Sequence, residues 1–337
     1  ADMIKEMQDY CEARNIPFLF VFDPAKPAIY QDKIANGINY NRDWVPLFLA
    51  ELDKRNINYL DNTETLTALR KNGIDGYNRK FDANHWNDMG AFYGTRAILQ
   101  KMQEKEPSLH VNDLSEFSVT TKRETSLPVS DFRINEEVPE IRLKASYEDL
   151  GQDYASELQM DPSYQAFGYC VNEERKAAGS PKVLMFQGSY MNVYGYKYMI
   201  NACGEYIYVH DYQNVIDFPY YINIFQPDCV IFEVAEYTFS DLYFDYQKMK
   251  EASYNPSLSS LSAKEYSVIH PSNQDLSLEK GDTLTTITWK TKATYSFVWL
   301  KEKQIYDMKK TEEGYQVTVL TKDFEQFPRV LEICAYQ

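Results

Sequence analysis

An aspartate and a histidine in the segment Asp82-Ala83-Asn84-His85-Trp86 have the residue types and the spacing of an acid/base pair. In a Ser-His-Asp triad, a carboxylate fixes the tautomer of an imidazole, and the imidazole takes the proton of the serine hydroxyl. Ser189 is the candidate serine, because it comes just after the apolar run Val183–Gln187, where a strand is expected to turn into a helix. The sequence therefore predicts an acyl-transfer site with Ser189 as nucleophile, His85 as base and Asp82 as the group that orients His85.

His210 is a rival for the role of base. It follows the predicted strand Tyr206–Val209, Asp211 stands beside it, and strand ends line clefts in α/β folds. The structural alternative for Gly188-Ser189 is an ordinary strand-to-helix turn with a capping serine. We favour His85, because Asp82 and Ser189 together supply the two partners that a catalytic histidine needs.

The elements that must position these residues alternate between strands and helices. The run Phe18–Phe22 is short and continuously apolar, which is typical of a strand buried on both faces. Apolar residues at helical spacing between Trp44 and Leu52 predict an amphipathic helix. The rhythm resumes at Val183 and continues to the apolar run Cys229–Val234. This order predicts an α/β fold, with a parallel sheet and flanking helices.

Two stretches depart from this rhythm. Residues 108–180 are polar and without a clear period, so we expect an insertion of irregular loops and short elements. The linker-like segment Asn255–Ser260 is followed by short alternating runs such as Leu284–Trp289 and Tyr315–Leu320, which indicate a small β-sandwich. We therefore expect one domain over 1–252 and a β-sandwich domain over 253–337.

Composition excludes several classes of function. The net charge of −15 argues against binding to nucleic acid or to an anionic membrane surface. The five cysteines are scattered without a C-x-x-C pair, so no metal, redox site or cofactor is expected. No apolar stretch is long enough to predict a membrane span. The chain begins inside a helical pattern, and we expect that a native signal or anchor has been removed.

The segment Phe81–Ala91, FDANHWNDMGA, resembles the Asp-x-x-His block of the SGNH hydrolases. More specifically, it resembles the DHHW branch, which includes the AlgX and AlgJ proteins of alginate O-acetylation and places this block before the serine block. The segments Asp23–Tyr30 and Gln226–Ile231 are also similar to that branch, so the resemblance covers about residues 1–250. The chain departs from the branch in the Asp–His spacing, which is three instead of two, and in having Gln187-Gly188-Ser189 in place of Gly-Asp-Ser.

The resemblance implies an SGNH hydrolase-like fold and an extracytoplasmic polysaccharide O-acetyltransferase or acetylesterase, at the cell surface, in the periplasm or secreted. It implies an acetyl-Ser189 intermediate, a polysaccharide acceptor, and a membrane-bound O-acyltransferase partner that supplies acetyl groups. A trailing β-domain in this branch implies a carbohydrate-binding role for 253–337. The alternative is a non-catalytic polysaccharide-binding or scaffold protein that has kept the fold without the chemistry.

The family also implies where the remaining site residues lie. SGNH enzymes take oxyanion donors from a glycine and an asparagine, for which Gly204 and Asn192 are the candidates, and Gly188 lies next to the nucleophile. Trp86 and Tyr190 flank the candidate catalytic residues and could stack on a sugar ring. For Trp86 the alternative is packing beneath the histidine.

Overall fold

The computed structural model describes residues 1–127, 130–252, 267–272, 274–292, 295–299, 305–325 and 333–336. The predicted linker at 255–260 lies outside these residues. The domain boundary at residue 252 therefore stays a prediction.

Helices and strands alternate over residues 1–252. The helices, in chain order, are Asp2–Glu12 (α1), Lys26–Ile29 (α2), Trp44–Lys54 (α3), Asn62–Lys71 (α4), Asp88–Gln103 (α5), Gly151–Ala155 (α6), Glu173–Ala177 (α7), Tyr196–Ala202 (α8), Phe218–Phe225 (α9) and Tyr246–Glu251 (α10). The strands are Phe18–Asp23 (β1), Tyr59–Asp61 (β2), Phe117–Leu127 (β3), Ser130–Leu143 (β4), Glu148–Asp149 (β5), Phe167–Val171 (β6), Lys182–Gln187 (β7), Glu205–His210 (β8) and Cys229–Ala235 (β9).

A seven-stranded sheet with the order β2-β1-β9-β7-β8-β6-β5 forms the centre of this part. The strands from β2 to β8 in this order are parallel, β6 pairs with β8 in the antiparallel direction, and β5 pairs with β6 in the antiparallel direction. Every residue of β1 and β9 is buried, and alternate residues of β1 belong to two separate apolar cores. Strands read as continuous apolar runs when helices cover both faces of a sheet. The predicted α/β fold is confirmed.

The carboxyl ends of the central strands place the candidate residues. Asp23 pairs with Ala235 where β1 and β9 end, and Gln187 pairs with His210 where β7 and β8 end. Because these strands are parallel, their ends lie at one edge of the sheet, which is where ligands bind in open α/β folds. Ser189 follows β7 and lies at this edge.

The expectation of irregular structure over residues 108–180 is wrong for much of this stretch. Strands β3 and β4 pair as an antiparallel hairpin, and β6 joins the main sheet beside β8. Most hairpin side chains are exposed, whereas Phe117, Val138 and Ile141 at its base are buried. Since neither face of the β3–β4 hairpin covers a core along its length, its strands have no regular apolar alternation that the sequence could reveal.

A separate antiparallel β region follows, as predicted. Its elements are Ser267–Ile269 (β10), Leu276–Lys280 (β11), Leu284–Trp289 (β12), Tyr295–Trp299 (β13), Ile305–Asp307 (β14), Lys309–Lys310 (β15), Tyr315–Leu320 (β16), Thr321–Phe324 (α11) and Ile333–Tyr336 (β17). They form two four-stranded sheets, β10-β17-β13-β14 and β11-β12-β16-β15. Asn223 of α9 exchanges two hydrogen bonds of 2.8 and 2.9 Å with the backbone of Asp307. Glu157 accepts a further bond of 2.8 Å from the Leu284 N–H, so polar contacts join the two parts.

Four cysteines, Cys11, Cys170, Cys203 and Cys229, are buried free thiols. Burial raises the pKa of Cys11 and of Cys170 to about 12, so these thiols are protonated packing residues. Within the described ranges, no helix combines the length and the apolar character that a membrane crossing requires.

Candidate active site

Asp82 and His85 form a hydrogen bond in the structure, with His85 Nδ1 2.7 Å from Asp82 Oδ1. Asp82 has a left-handed backbone, with φ of 40°, which aspartate tolerates better than most residues. The Tyr194 hydroxyl donates to the other carboxylate oxygen at 3.1 Å. Burial favours a higher pKa for Asp82, but the hydrogen bonds from His85 and Tyr194 outweigh it, and the pKa lies below its ordinary value. Asp82 is therefore a carboxylate that can hold a proton on Nδ1 and leave Nε2 free to accept one.

Ser189 stands at the start of a helical segment, two residues after β7 ends. A π-helical turn, Met191–Gly195, follows and leads into α8, and such turns often occur at functional sites. The Ser189 hydroxyl is half-buried and lies 2.8 Å from the hydroxyl of Tyr237. Among the described residues, Tyr237 is the hydrogen-bond partner of Ser189 Oγ, and no hydrogen bond joins Oγ to His85.

Contacts around Tyr190 bring the two distant segments together. Trp86 Nε1 donates to the backbone oxygen of Tyr190 at 2.9 Å, and the Tyr190 hydroxyl donates to the backbone oxygen of Asn84 at 3.1 Å. The rings of His85 and Tyr237 both contact the Tyr190 ring, with centroids 5.7 and 5.8 Å away. The acid/base segment and the serine segment therefore meet at one place, as the sequence predicts.

The prediction that Trp86 and Tyr190 stack on a sugar is wrong. Both side chains have no exposed surface, and they pack against each other with ring centroids 5.2 Å apart. They are large apolar groups in the core between the two segments, where a ligand cannot reach them. Among the aromatic residues that the structure describes at the site, Tyr237 is exposed, with 43 % of its surface accessible, and it was not among the predicted site residues. The feature of the sequence that could have identified Tyr237 is its position just after the buried strand β9.

Gly204 cannot be an oxyanion donor to Ser189. It precedes β8 at the amino edge of the sheet, where Glu205 pairs with Lys182, and its N–H donates to the backbone oxygen of Pro181. The length of β7, at about 3.3 Å per residue, places it roughly 20 Å from Ser189. Gly204 comes before the predicted strand Tyr206–Val209, whereas ligands bind at the carboxyl ends of strands, so its place in the sequence already argues against this role.

Gly188 is not a free donor either. Its N–H donates to the Glu233 carboxylate at 2.7 Å. Asn192 lies one helical turn beyond Gly188, and its backbone N–H donates to the Gly188 oxygen at 3.0 Å. The Asn192 side-chain oxygen accepts a 2.7 Å bond from Gln187, which leaves its NH₂ group as the donor available for another partner.

Three carboxyl groups are buried beneath the serine turn. Asp23, Asp211 and Glu233 have no exposed surface, and carboxylate oxygens of Asp211 and Glu233 lie within 3.7 Å of the position that a Cβ would take at Gly188. Burial raises the pKa of Asp23 to about 7, and burial together with the neighbouring carboxylates raises the pKa of Glu233 well above its ordinary value. Burial therefore raises the pKa of each of the three carboxyl groups and favours its neutral form. A glutamate within the apolar run of β9 was the sequence signal for this cluster.

His210 has different surroundings from His85. Its Nδ1 lies 3.1 Å from Asp211 Oδ1, and its ring packs against Tyr212 and Tyr164 with centroids 4.4 and 5.3 Å away. In the part of the chain that the structure describes, no hydrogen bond joins His210 to Ser189. Its contacts are those of a packed residue at the end of β8, which favours His85 as the candidate base.

Comparisons with known proteins identify a similar domain and similar folds. Residues 1–140 match the family model of the SGNH hydrolase-like domain of acetyltransferase AlgX. A structure of Bacillus cereus PatB1 is 15% identical, with a TM-score of 0.53 over 71% of this chain and 88% of that chain. A second PatB1 structure, with a sulfonyl adduct, gives a TM-score of 0.54 over 74% of this chain and 90% of that chain, at 15% identity.

A DHHW family protein from Eubacterium siraeum has a TM-score of 0.51 over 74% of this chain and 88% of that chain, at 15% identity. The comparison with curated protein sequences found no match. At these identities the solved structures establish the fold. The resemblance seen in Phe81–Ala91 is therefore confirmed: residues 1–140 are similar to the SGNH hydrolase-like domain of AlgX, and the fold of the chain is SGNH hydrolase-like and similar to the folds of PatB1 and the DHHW family protein.

Proposed function

We propose that this protein is an extracytoplasmic polysaccharide O-acetyltransferase or acetylesterase with Ser189 as nucleophile, His85 as base and Asp82 as the orienting carboxylate. The observation that carries the proposal is the 2.7 Å bond between Asp82 and His85, in a segment that contacts the serine segment through Trp86 and Tyr190. The similarity of residues 1–140 to the AlgX acetyltransferase domain supports the same class of reaction.

The reaction proceeds in two acyl-transfer steps. Ser189 Oγ attacks the carbonyl carbon of an acetyl ester, its proton passes to His85 Nε2, and the same proton then goes to the departing alkoxide oxygen. Asp82 stabilises the imidazolium that forms between these events. An acceptor hydroxyl or water, deprotonated by His85, then attacks the carbonyl carbon of acetyl-Ser189. His85 returns the proton to Ser189 Oγ as the C–O bond breaks, and the acetyl group leaves on the acceptor or as acetic acid. Water exclusion from the site decides between transfer and hydrolysis.

The first step requires the Ser189 hydroxyl to leave its bond with Tyr237 and to meet His85 Nε2. Catalytic hydrogen bonds of ligand-free sites often form only when substrate binds. The oxyanion donors are the backbone N–H of Ser189, at the start of a helical segment where N–H groups have no intrahelical partner, and the Asn192 side chain. The Gly188 N–H is excluded from this role by its bond to Glu233.

The acceptor in this proposal is a polysaccharide, and the acetyl donor is supplied by a membrane-bound O-acyltransferase, as the family resemblance implies. Residues 1–252 form the catalytic domain, and residues 253–337 form a β-sandwich that binds carbohydrate. Tyr237 is the aromatic side chain that a sugar can reach beside Ser189, because it is exposed and contacts the hydroxyl directly.

Hydrolysis of para-nitrophenyl acetate tests the catalytic assignment. Ser189→Ala removes the nucleophile, and we expect kcat to fall by about 10³-fold or more. Ser180→Ala is the matched control, because Ser180 is also half-buried but precedes β7 at the opposite edge of the sheet. Peptide mass spectrometry after incubation with the ester should find one acetyl group on Ser189. Equal rates for the wild type and Ser189→Ala would exclude Ser189 as the nucleophile.

The second candidate function is non-catalytic binding of polysaccharide. The bond of Ser189 Oγ to Tyr237 instead of His85 favours it, as does the absence of the Gly-Asp-Ser sequence. A binding protein gives no ester turnover and retains oligosaccharide on an affinity gel equally well with or without Ser189→Ala. An acetyltransferase gives turnover that this substitution abolishes.

A further inference from the structure

The side chain of Glu136, on β4, lies directly against the backbone that precedes the acid/base pair. Its carboxylate accepts hydrogen bonds from three consecutive backbone N–H groups, those of Arg79, Lys80 and Phe81, at 2.6, 2.9 and 2.7 Å. Three successive N–H groups that converge on one anion form a nest, a strong and directional backbone site for negative charge. Burial favours a higher pKa for Glu136, but the three N–H bonds outweigh it and hold the pKa below its ordinary value. Glu136 is therefore charged when it binds this backbone.

These bonds lie just before the acid/base pair in the sequence, because Asp82 follows Phe81 directly. A non-glycine residue with φ of 40° is in a sparsely populated conformation, which persists only where the surroundings determine it. The three bonds to Glu136 fix the peptide planes just before Asp82. They thereby fix the direction from which the chain enters the left-handed turn that brings Asp82 to His85.

The same strand also contacts the other flank of the pair. The backbone N–H of Ile141 donates to Asp88 Oδ2 at 2.8 Å, and Asp88 is the first residue of α5, three residues after His85. Lys197 of α8 forms an ion pair with the other oxygen of Asp88. Strand β4 thus bonds to the chain before and after the Asp82–His85 pair, through residues 136 and 141.

We propose that Glu136 is a positioning residue of the acid/base pair and that β4 aligns Asp82 with His85 for catalysis. This inference rests on the proposed function, because it assigns a role in the reaction of the same pair. Glu136 acts through the backbone of Arg79–Phe81 and touches none of the reacting atoms.

Proton NMR of the His85 ring tests the alignment without any substrate. An Nδ1–H bonded to a carboxylate gives a resolved low-field resonance, which His85→Gln and Asp82→Asn should each abolish. We expect Glu136→Ala to remove or strongly broaden this resonance. Glu137→Ala is the matched control, since Glu137 is the next residue on β4, is exposed, and forms an ion pair with Arg123 on the hairpin. It should leave the resonance unchanged.

The kinetic test separates positioning from binding. With para-nitrophenyl acetate, Glu136→Ala should lower kcat about 10- to 100-fold with little change in KM, because small misplacements of catalytic groups have effects of this size. Glu136→Gln keeps one oxygen acceptor for the three N–H groups, so it should recover part of the rate. Glu137→Ala should have the kcat and KM of the wild type.

The outcomes distinguish this inference from the proposed function. If the wild type shows the resonance but no ester turnover, the proposed function fails, and the loss of the resonance in Glu136→Ala still supports the positioning role. If Glu136→Ala keeps both the resonance and kcat, the inference is overturned. If Glu136→Ala does not fold, Glu136→Gln takes its place, and a wild-type resonance and kcat in that variant overturn the inference. A wild type without the resonance contradicts the Asp82–His85 bond on which the inference stands.

Discussion

The left-handed backbone of Asp82 explains how an aspartate three residues before His85 can bond to its imidazole. In an extended chain, side chains three positions apart point to opposite faces, so the carboxylate of Asp82 would point away from the imidazole of His85. With φ of 40°, the chain reverses at Asp82 and the carboxylate comes to 2.7 Å from Nδ1. The residue types could be predicted from the sequence, because chemistry limits them. The contact between Asp82 and His85 could not be predicted, because Glu136, which is distant in the sequence, binds the backbone just before Asp82.

Asp23 makes stability depend on pH. Its pKa is raised by burial from an ordinary value of 3.8 to about 7. Between these two pH values, the folded state therefore binds a proton that the unfolded chain has lost. The contribution of Asp23 to the stability is fully present below about pH 4 and is lost as the pH rises through about 7. We expect the free energy of unfolding to fall over this window, with a slope from Asp23 of up to about 1.4 kcal/mol per pH unit.

Urea unfolding across this window measures the effect. Asp23→Asn removes the titrating group and keeps the oxygen that accepts a 2.7 Å bond from Asn62, so the slope should become smaller. A remaining slope of the same sign is expected from Glu233, whose pKa is also raised. Asp153→Asn, at an exposed position on α6, should leave the wild-type slope unchanged. A variant at Asp23 with the wild-type slope would contradict the assignment.

Helix α5 limits how closely the segment of Asp82 and His85 can approach the segment of Ser189. A Cβ added at Gly94 would lie 2.4 Å from Cζ3 of Trp86, the residue that bonds to the Tyr190 backbone. We expect Gly94→Ala to displace the indole, to destabilise the fold by about 1–3 kcal/mol, and to lower kcat for aryl acetate. Gly76→Ala is the control, because its nearest contact of 3.4 Å is an ordinary one. Urea unfolding and rate measurements on both variants check this prediction. If Gly94→Ala and Gly76→Ala were equally stable, the close packing of Gly94 against Trp86 would not limit the fold.

Elements differ in how well the sequence reveals them, and their burial gives the reason. Strands β1, β7 and β9 read as apolar runs because both of their faces are covered, so the parallel sheet was predictable. The β3–β4 hairpin has exposed residues on both faces and carries no such pattern. It is nevertheless the element that bonds to both flanks of the acid/base pair.

At the scale of the whole molecule, polar links connect the α/β part to the antiparallel β region. Asn223 is buried and exchanges two hydrogen bonds with the backbone of Asp307. Removing the amide takes one hydrogen bond from each of the two backbone groups of Asp307, at a cost of about 0.5–1.5 kcal/mol for each bond. We expect Asn223→Ala to lower the stability to urea and to broaden the transition, because the two parts then unfold less cooperatively.

Far-UV circular dichroism during urea unfolding checks this prediction. Asn135→Ala, at an exposed position on β4 outside this contact, should change the free energy of unfolding by no more than about 0.5 kcal/mol. An Asn223→Ala variant with the wild-type midpoint and a sharp transition would mean that the Asn223–Asp307 contact does not couple the two parts.

The contacts of Glu136 also set the order in which the site can form during folding. Glu136 lies 55 to 57 positions along the chain from the N–H groups it accepts, and Trp86 lies 104 positions from the Tyr190 oxygen. Contacts between such distant residues form late, because the loops between them must first be closed. We therefore expect the Asp82–His85 pair to take its final geometry only after the hairpin and the serine segment have docked. If the proposed function is correct, a nascent or partly refolded chain lacks an aligned acid/base pair, and we expect hydrolysis of an aryl acetate to begin only when folding is complete.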